Sequence, residues 1–196
     1  MQRRRFIAMT SAIFASGGLS LSGCTTTPAS SDATPEANTG RRQSLDADAN
    51  ATLARLFATV HDSRELVDNA RGVLVFPSVF AAGFWFGGQY GQGVLRVGGQ
   101  TSGYYSMAAA SFGLQIGAQS KAIIMLFMTQ EALDEFTHSL GWAAGVDATV
   151  AVLKVGANGN VDTSTATGPV QAFVLTNGGL MAGVSLEGTK ISRLII

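Results

Sequence analysis

The sequence predicts an α+β domain, with N-terminal helices packed on a mainly antiparallel, glycine-rich β-sheet closed as a sandwich or barrel-like layer. Three observations lead there. Apolar residues recur at spacings of three and four between Leu45 and Val60, then at spacings near two after Gly72. Glycine accounts for 24 of the 196 residues and breaks the second part into short segments. Asn177-Gly178-Gly179 joins two β-like runs with the turn chemistry of a hairpin.

Residues 1–23 read as a removable signal ahead of that domain. Arg3-Arg4-Arg5 gives a positive start, and residues 6–21 form a short apolar stretch interrupted by Thr10, Ser11, Ser16 and Gly17. That stretch is too short and too polar for the roughly 20 apolar residues of a spanning helix. Leu21-Ser22-Gly23-Cys24 resembles the lipobox at which bacterial lipoprotein signals are cleaved, and Cys24 is the only cysteine. Cys24 is therefore the expected lipidation site. Two or three acyl chains there would anchor the protein stably. Arg3-Arg4-Arg5-Phe6-Ile7, with paired arginines followed one residue later by Phe-Ile, fits either twin-arginine export or a plain basic start. Thr25 after the cysteine favours the outer membrane.

Residues 24–43 contain no large apolar side chain after Cys24 and much Ser, Thr, Pro and Ala. Such a segment cannot offset its ordering entropy by burial, so a disordered tether is expected, spanning roughly 25 Å. The folded domain is then 44–196. Ser44 is the expected N-cap of a first helix that presents Leu45, Ala49, Leu53, Leu56, Phe57 and Val60 on one face. A second, short helix is expected from Ser63 to about Ala70, stopping at Gly72.

Val73-Leu74-Val75-Phe76 reads as a strand ended by Pro77. Residues 84–90, 93–97, 103–107 and 110–116 follow as separate glycine-punctuated strands. Residues 121–128 form an apolar run suited to a strand buried on both faces. Thr129 is the expected cap of a helix through about Ser139 with Leu133 and Phe136 inward. Residues 148–155, 170–176, 180–186 and 190–195 complete the sheet, and 156–168 reads as a loop.

Catalytic constellations are absent from the sequence. His61 and His138 fall at predicted helix ends without a serine-elbow or cysteine partner, and Ser63 lacks the G-x-S-x-G setting. No metal motif or phosphate loop occurs, so no metal, cofactor or enzymatic activity is expected. Removing residues 1–23 takes three of 13 basic residues and none of 13 acidic ones, so the remaining chain carries 10 − 13 = −3. That balance argues against non-specific nucleic-acid binding. Phe84-Trp85-Phe86 places rings on both sides of a strand, so one large ring must leave the core unless both faces are covered. These three residues are the candidate apolar contacts for a lipid-like ligand.

An ordered series of segments resembles the SYLF family, a lipid-binding domain of bacterial lipoproteins and some eukaryotic trafficking proteins, related to the Ysc-type actin-binding family. The segments are Ala70-Arg71-Gly72-Val73-Leu74-Val75-Phe76-Pro77, Gly83-Phe84, Gly91-x-Gly93-Val94-Leu95, Ser111-Phe112-Gly113-Leu114-Gln115-Ile116-Gly117-Ala118-Gln119 and Gly179-Leu180-Met181-Ala182-Gly183-Val184-Ser185-Leu186-Glu187-Gly188. The resemblance implies lipid binding without catalysis. Arg71 stands where family members often carry lysine, and it keeps a charge able to hold phosphate; Ala81, at a second such place, does not. The expectation is a non-enzymatic, lipid-anchored protein of the bacterial cell envelope, in the outer membrane and facing the periplasm or cell surface. Its partners would be the membrane, through Cys24, and a phospholipid ligand held by Arg71, Phe84, Trp85 and Phe86. The other reading is a structural or surface interaction protein for which the lipid is only a tether.

Overall fold

The computed structural model describes residues 34–196 other than 84–85, 113–116, 156–158, 163, 165–166, 177–178 and 181–184. The expected signal and Cys24 lie outside the described residues. Helix α1 spans Pro35–Thr59. It starts well before Ser44 and takes in residues 35–43, which composition alone assigns to the tether. The start is a capping effect. The Thr34 hydroxyl oxygen accepts from the Ala37 N–H at 3.3 Å, Pro35 supplies a preset φ, and Glu36 sits in the first turn. A cap can begin a helix before its apolar face begins. Burial starts only at Ala49 and continues through Thr52, Leu53 and Leu56.

Helix α2, Ser63–Asn69, starts where expected. The buried Ser63 hydroxyl donates to the Val60 carbonyl at 2.6 Å, which ties α2 to the end of α1. The sheet follows with β1 Gly72–Gly83, β2 Phe86–Val97, β3 Gln100–Phe112 and β4 Gly117–Phe127. Helix α3 is Gln130–His138, capped by the Thr129 hydroxyl oxygen, which accepts from the Ala132 N–H at 3.2 Å. The remaining strands are β5 Trp142–Ala143, β6 Val150–Val152, β7 Val170–Thr176, β8 Gly179–Leu180 and β9 Lys190–Leu194.

The described strands form a nine-stranded sheet in the order β5-β9-β3-β2-β1-β4-β7-β6, with β8 on β7. All described pairs are antiparallel except β6 with β7. β7 and β8 pair antiparallel with Thr176 opposite Gly179, and the Asn177-Gly178 turn expected between them lies outside the described residues.

Two expectations for the strands are corrected. Pro77 does not end β1, because the ladder shifts register around it on both sides, between Val75 and Ser78 towards β2 and between Phe76 and Val79 towards β4. A bulge is a place where a residue with no N–H costs no ladder bond. The short strands expected at 84–90 and 93–97 are, from Phe86 onward, one strand, β2, and those expected at 103–107 and 110–116 are one strand, β3, as far as Phe112; 84–85 and 113–116 lie outside the described residues. Glycine does not interrupt either. At Gly93 it is required instead, since a Cβ there would run into the Val75 carbonyl and lie 2.6 Å from the Phe76 ring.

Each face of the sheet's base packs its own core. One face gathers Leu74, Phe76, Leu95, Met107, Ile123 and Phe127 under α3, which adds Leu133 and Phe136. The other gathers Val73, Val75, Val94, Ile124, Leu126 and Phe173 under α1. The period-two alternation of β1 and β4 therefore buries both sets of side chains, as expected for 121–128.

Candidate binding surface

β3 pairs with β9 only from Tyr104 to Ala108, and β4 pairs with β7 only from Ala122 to Phe127. Beyond those limits β1 to β4 continue together, as residues 79–83, 86–91, 108–112 and 117–121, in the described ladders. They form a four-stranded ribbon that extends past both cores.

One face of the ribbon is uncovered. Phe80 and Tyr90 sit opposite each other across β1 and β2, and they are 55% and 51% exposed. Their neighbours on that face, Ala82, Gly88, Ala108, Ala110 and Ser120, are also exposed and small. The rings border a recess of about 290 Å³ against α1, lined by Leu45, Asp48, Pro77, Phe80, Tyr90 and Gln92. The Tyr90 hydroxyl accepts from the Gln92 amide at 2.9 Å, and the Gln92 carbonyl accepts from Arg41 Nε at 3.2 Å. Tyr90 is thereby held by α1 at its polar end while its ring faces out.

The sequence explains why this face is apolar. Between Arg71 and Lys121 the only charged residue is Arg96. Arg96 lies under α1, where Nη1 donates to the Asn50 side chain at 2.6 Å and Nη2 to the Asp46 carbonyl at 3.2 Å. The ribbon itself therefore bears one charge, Lys121, on its other face beside Val79. Lys121 is half-buried, and burial pushes its amine below the ordinary lysine range.

α1 divides the uncovered side of the sheet into the ribbon and the base. On the base side Asp46 accepts from the Thr101 hydroxyl and the Tyr104 hydroxyl, each at 2.8 Å. Burial, and then this hydrogen bond to Asp46, raises the Tyr104 phenol above its ordinary value. The adjacent Tyr105 points the opposite way, into the core, with its ring 4.8 Å from that of Phe136.

The residues singled out from sequence are distributed as follows. Cys24, Phe84 and Trp85 lie outside the described residues. Phe86 begins β2 opposite Phe112, at the ribbon's far end. Arg71 is exposed just before β1, and its N–H donates to the Phe127 carbonyl at 2.8 Å. The 12 residues of β1 thus separate Arg71 from Phe86 by about 40 Å, so the two cannot hold one headgroup. Phe80 and Tyr90 escaped the sequence reading because an isolated aromatic looks like core. The signal that marks them is the long charge-free interval around them.

The histidines are placed at helix ends, as expected. His61 lies beside Gly159 with Nδ1 3.3 Å from the Asn160 side-chain Oδ1, and His138 Nδ1 is 2.7 Å from the Asp134 backbone carbonyl in the last turn of α3. Among the described residues no group of acidic, histidine or cysteine side chains is arranged to hold a metal. No described helix is long and apolar enough to cross a membrane. What the ribbon offers chemically is contact area, two rings and a hydroxyl.

Residues 108–194 match a family model described as Ysc84, Las17-binding protein actin regulator. Protein YSC84 of Saccharomyces cerevisiae is 30% identical over 134 residues, which is 64% of this chain and 28% of that protein. LAS seventeen-binding protein 3 of the same species is 29% identical over 135 residues, covering 65% of this chain and 29% of its own. The chain thus spans under a third of the length of the curated relatives it matches.

Proposed function

Because the chain carries a domain of the Ysc84/SYLF family, we propose that it is a non-enzymatic binding module, anchored in the bacterial cell envelope by acyl chains on Cys24, whose ribbon contacts a phospholipid surface. The observation that carries this reading is the uncharged ribbon face with Phe80 and Tyr90 exposed side by side. Placing such a face at a membrane interface desolvates no charge. A tyrosine there keeps its hydroxyl at the wet level while its ring meets the acyl boundary. The ribbon's outer backbone groups limit the depth, because open strand edges are not tolerated in hydrocarbon. Contact is therefore interfacial, with the rings entering the headgroup boundary and the base staying in water.

The anchor and the ribbon do different work in this reading. The acyl chains keep the molecule at the envelope without help. The ribbon adds orientation, since its Phe80–Tyr90 face is exposed. Outer-membrane placement facing the periplasm or the surface belongs to the same proposal.

A second reading is supported by the relatives' names, which describe binding to another protein. In it the same ribbon face docks a protein and the lipid is only a tether. Flotation of the full chain with Cys24→Ser on phosphatidylglycerol–phosphatidylethanolamine vesicles separates the two. The unacylated chain should float, and Phe80→Ala with Tyr90→Ala should weaken flotation at least about tenfold, since each buried ring contributes about 1.5–3 kcal/mol. A Cys24→Ser chain that never floats removes the lipid-contact reading. Labelled palmitate incorporated into the wild type but not into Cys24→Ser checks the anchor.

A further inference from the structure

The exposed face of the ribbon is laid out in two rows that run across the strands. The inner row, next to α1, holds the rings: Phe80 on β1 is paired with Tyr90 on β2, and Tyr90 with Ala108 on β3. One pleat period further out, about 7 Å along the strands, Ala82 is paired with Gly88 and Gly88 with Ala110. All six positions are exposed, and none carries a charge. A row of protruding rings thus lies beside a row of methyl groups and bare backbone. That second row is open, since a Cβ built on Gly88 meets nothing within 4 Å.

A patch of this kind is complementary to itself. A two-fold axis running across the strands, between the two rows, brings a second copy face to face and antiparallel, with each strand over its own counterpart. Phe80 of each copy then stands over Ala82 of the other, and Tyr90 over Gly88, so large residues meet small ones. The other two-fold, along the strands, stacks ring row on ring row and holds the sheets apart. Sheets packed face to face lie about 10 Å apart, close to the diameter of a helix. The second ribbon therefore fits the layer that α1 fills over the base. The flank of α1 at Leu45 and Asp48, beside the recess at Pro77, stands at the end of that layer as a stop.

We propose that, away from a membrane, this face is covered by a second copy of the chain, paired in that antiparallel two-fold manner. The pairing removes apolar rings from water and desolvates no charge. Its size sets its strength. Four strands about 4.8 Å apart, each some five residues long, present roughly 300 Å² of face per copy, well short of the roughly 800 Å² per partner of stable complexes. The pairing is therefore weak and reversible, with a Kd of roughly 10–1,000 μM. It gives way when a larger apolar surface is present. A membrane is such a surface, so self-pairing and the lipid contact proposed above compete for Phe80 and Tyr90. The pairing itself does not rest on that contact, since the two rows and their lack of charge decide it.

Sedimentation velocity on the full chain with Cys24→Ser, from about 10 μM to about 1 mM, tests it. A reversible shift from monomer to dimer is expected. Gly88→Val fills the socket of the opposite Tyr90 without meeting a neighbour in its own chain, so it should weaken the dimer at least about tenfold. It should leave flotation on phosphatidylglycerol–phosphatidylethanolamine vesicles undiminished, because both rings remain. A dimer in a chain that never floats would strike the lipid contact and keep the pairing, so the two failures are told apart. Oxidative cross-linking reads the arrangement. In a mixture of Ala108→Cys and Ala110→Cys chains, both also carrying Cys24→Ser, unlike chains should link faster than like ones. The along-strand packing would instead link Ala108→Cys to Ser120→Cys, the two ends of the ring row. Preferential 108–120 linking, a dimer untouched by Gly88→Val, or a chain that stays monomeric to about 1 mM overturns the proposal. A monomeric chain that floats leaves the face to the membrane alone, and one that does not float leaves it to a different protein.

Discussion

The base and the ribbon are the same four strands continued, yet they use the pleat in opposite ways. In the base, β1 and β4 send alternate residues into two cores, and large rings close the inner one. The Phe136 ring is 4.8 Å from Tyr105, 4.7 Å from Phe127 and 5.7 Å from Trp142, the last pair edge to face. In the ribbon the alternation persists, but alanine and glycine replace the large residues, and Phe80 and Tyr90 face outward. Exposed strand surfaces are usually blunted with charge, especially lysine. This ribbon has a single lysine, set on its other face at the junction with the base. Stability is therefore concentrated in the base, and the ribbon is free to serve contact.

The sharpest test of that division compares two phenylalanines. Phe136→Ala removes a fully buried ring from the centre of the aromatic cluster and should cost about 3–5 kcal/mol in urea denaturation. Phe80→Ala removes a half-exposed ring and should change stability by no more than about 0.5 kcal/mol. Equal losses at the two positions would mean that the ribbon is packed like the base. Gly93→Ala probes the junction. Its Cβ would meet the Val75 carbonyl and the Phe76 ring, both in the bulge region of β1. Backbone cannot yield as a side-chain tip can, so a loss of about 1–3 kcal/mol is expected. A neutral Gly93→Ala would show that the bulge is plastic and that ribbon and base are less firmly joined.

The legible parts of the fold were those in which a local signal carried the whole cause. The buried run of β4, the Thr129 cap with Leu133 and Phe136 inward, and the pairing of β7 with β8 all have their physics within a few residues. The misread parts depended on partners distant in sequence. Pro77 looks like a strand end until β2 and β4 are seen to shift register around it, and the glycines of β2 look like breaks until their neighbours are in place. The start of α1 was local but outweighed. Thr34-Pro35-Glu36 is a capping signal, and the lack of apolar residues after it suggested disorder. For the surface, Phe80 and Tyr90 were hidden because period-two alternation does not say which face remains bare. That depends on where β7, β9 and the helices stop.

Lys121 gives the smallest expected effect and bears most directly on the boundary between the two regions. It pairs across the ladder with Val79, the last residue of β1 in the inner core, and no described residue forms an ion pair with it. Burial lowers its folded-state pKa below the ordinary value of 10.5, so the folded chain disfavours the charged amine that the unfolded chain carries freely. The resulting penalty is complete below the lowered pKa and disappears as pH rises towards 10.5, where the unfolded chain also loses the proton. Lys121→Met keeps a similar volume and removes the charge, so it should raise the thermal midpoint at neutral pH. Because the amine is only half-buried, solvent screening keeps the gain small, about 1–2 °C. The gain should shrink as pH climbs through the alkaline range. A gain that grows with pH, or a lower midpoint at pH 7, would mean that Lys121 is held by a favourable partner. The ribbon would then begin with a charged clasp instead of an unpaired charge at its root.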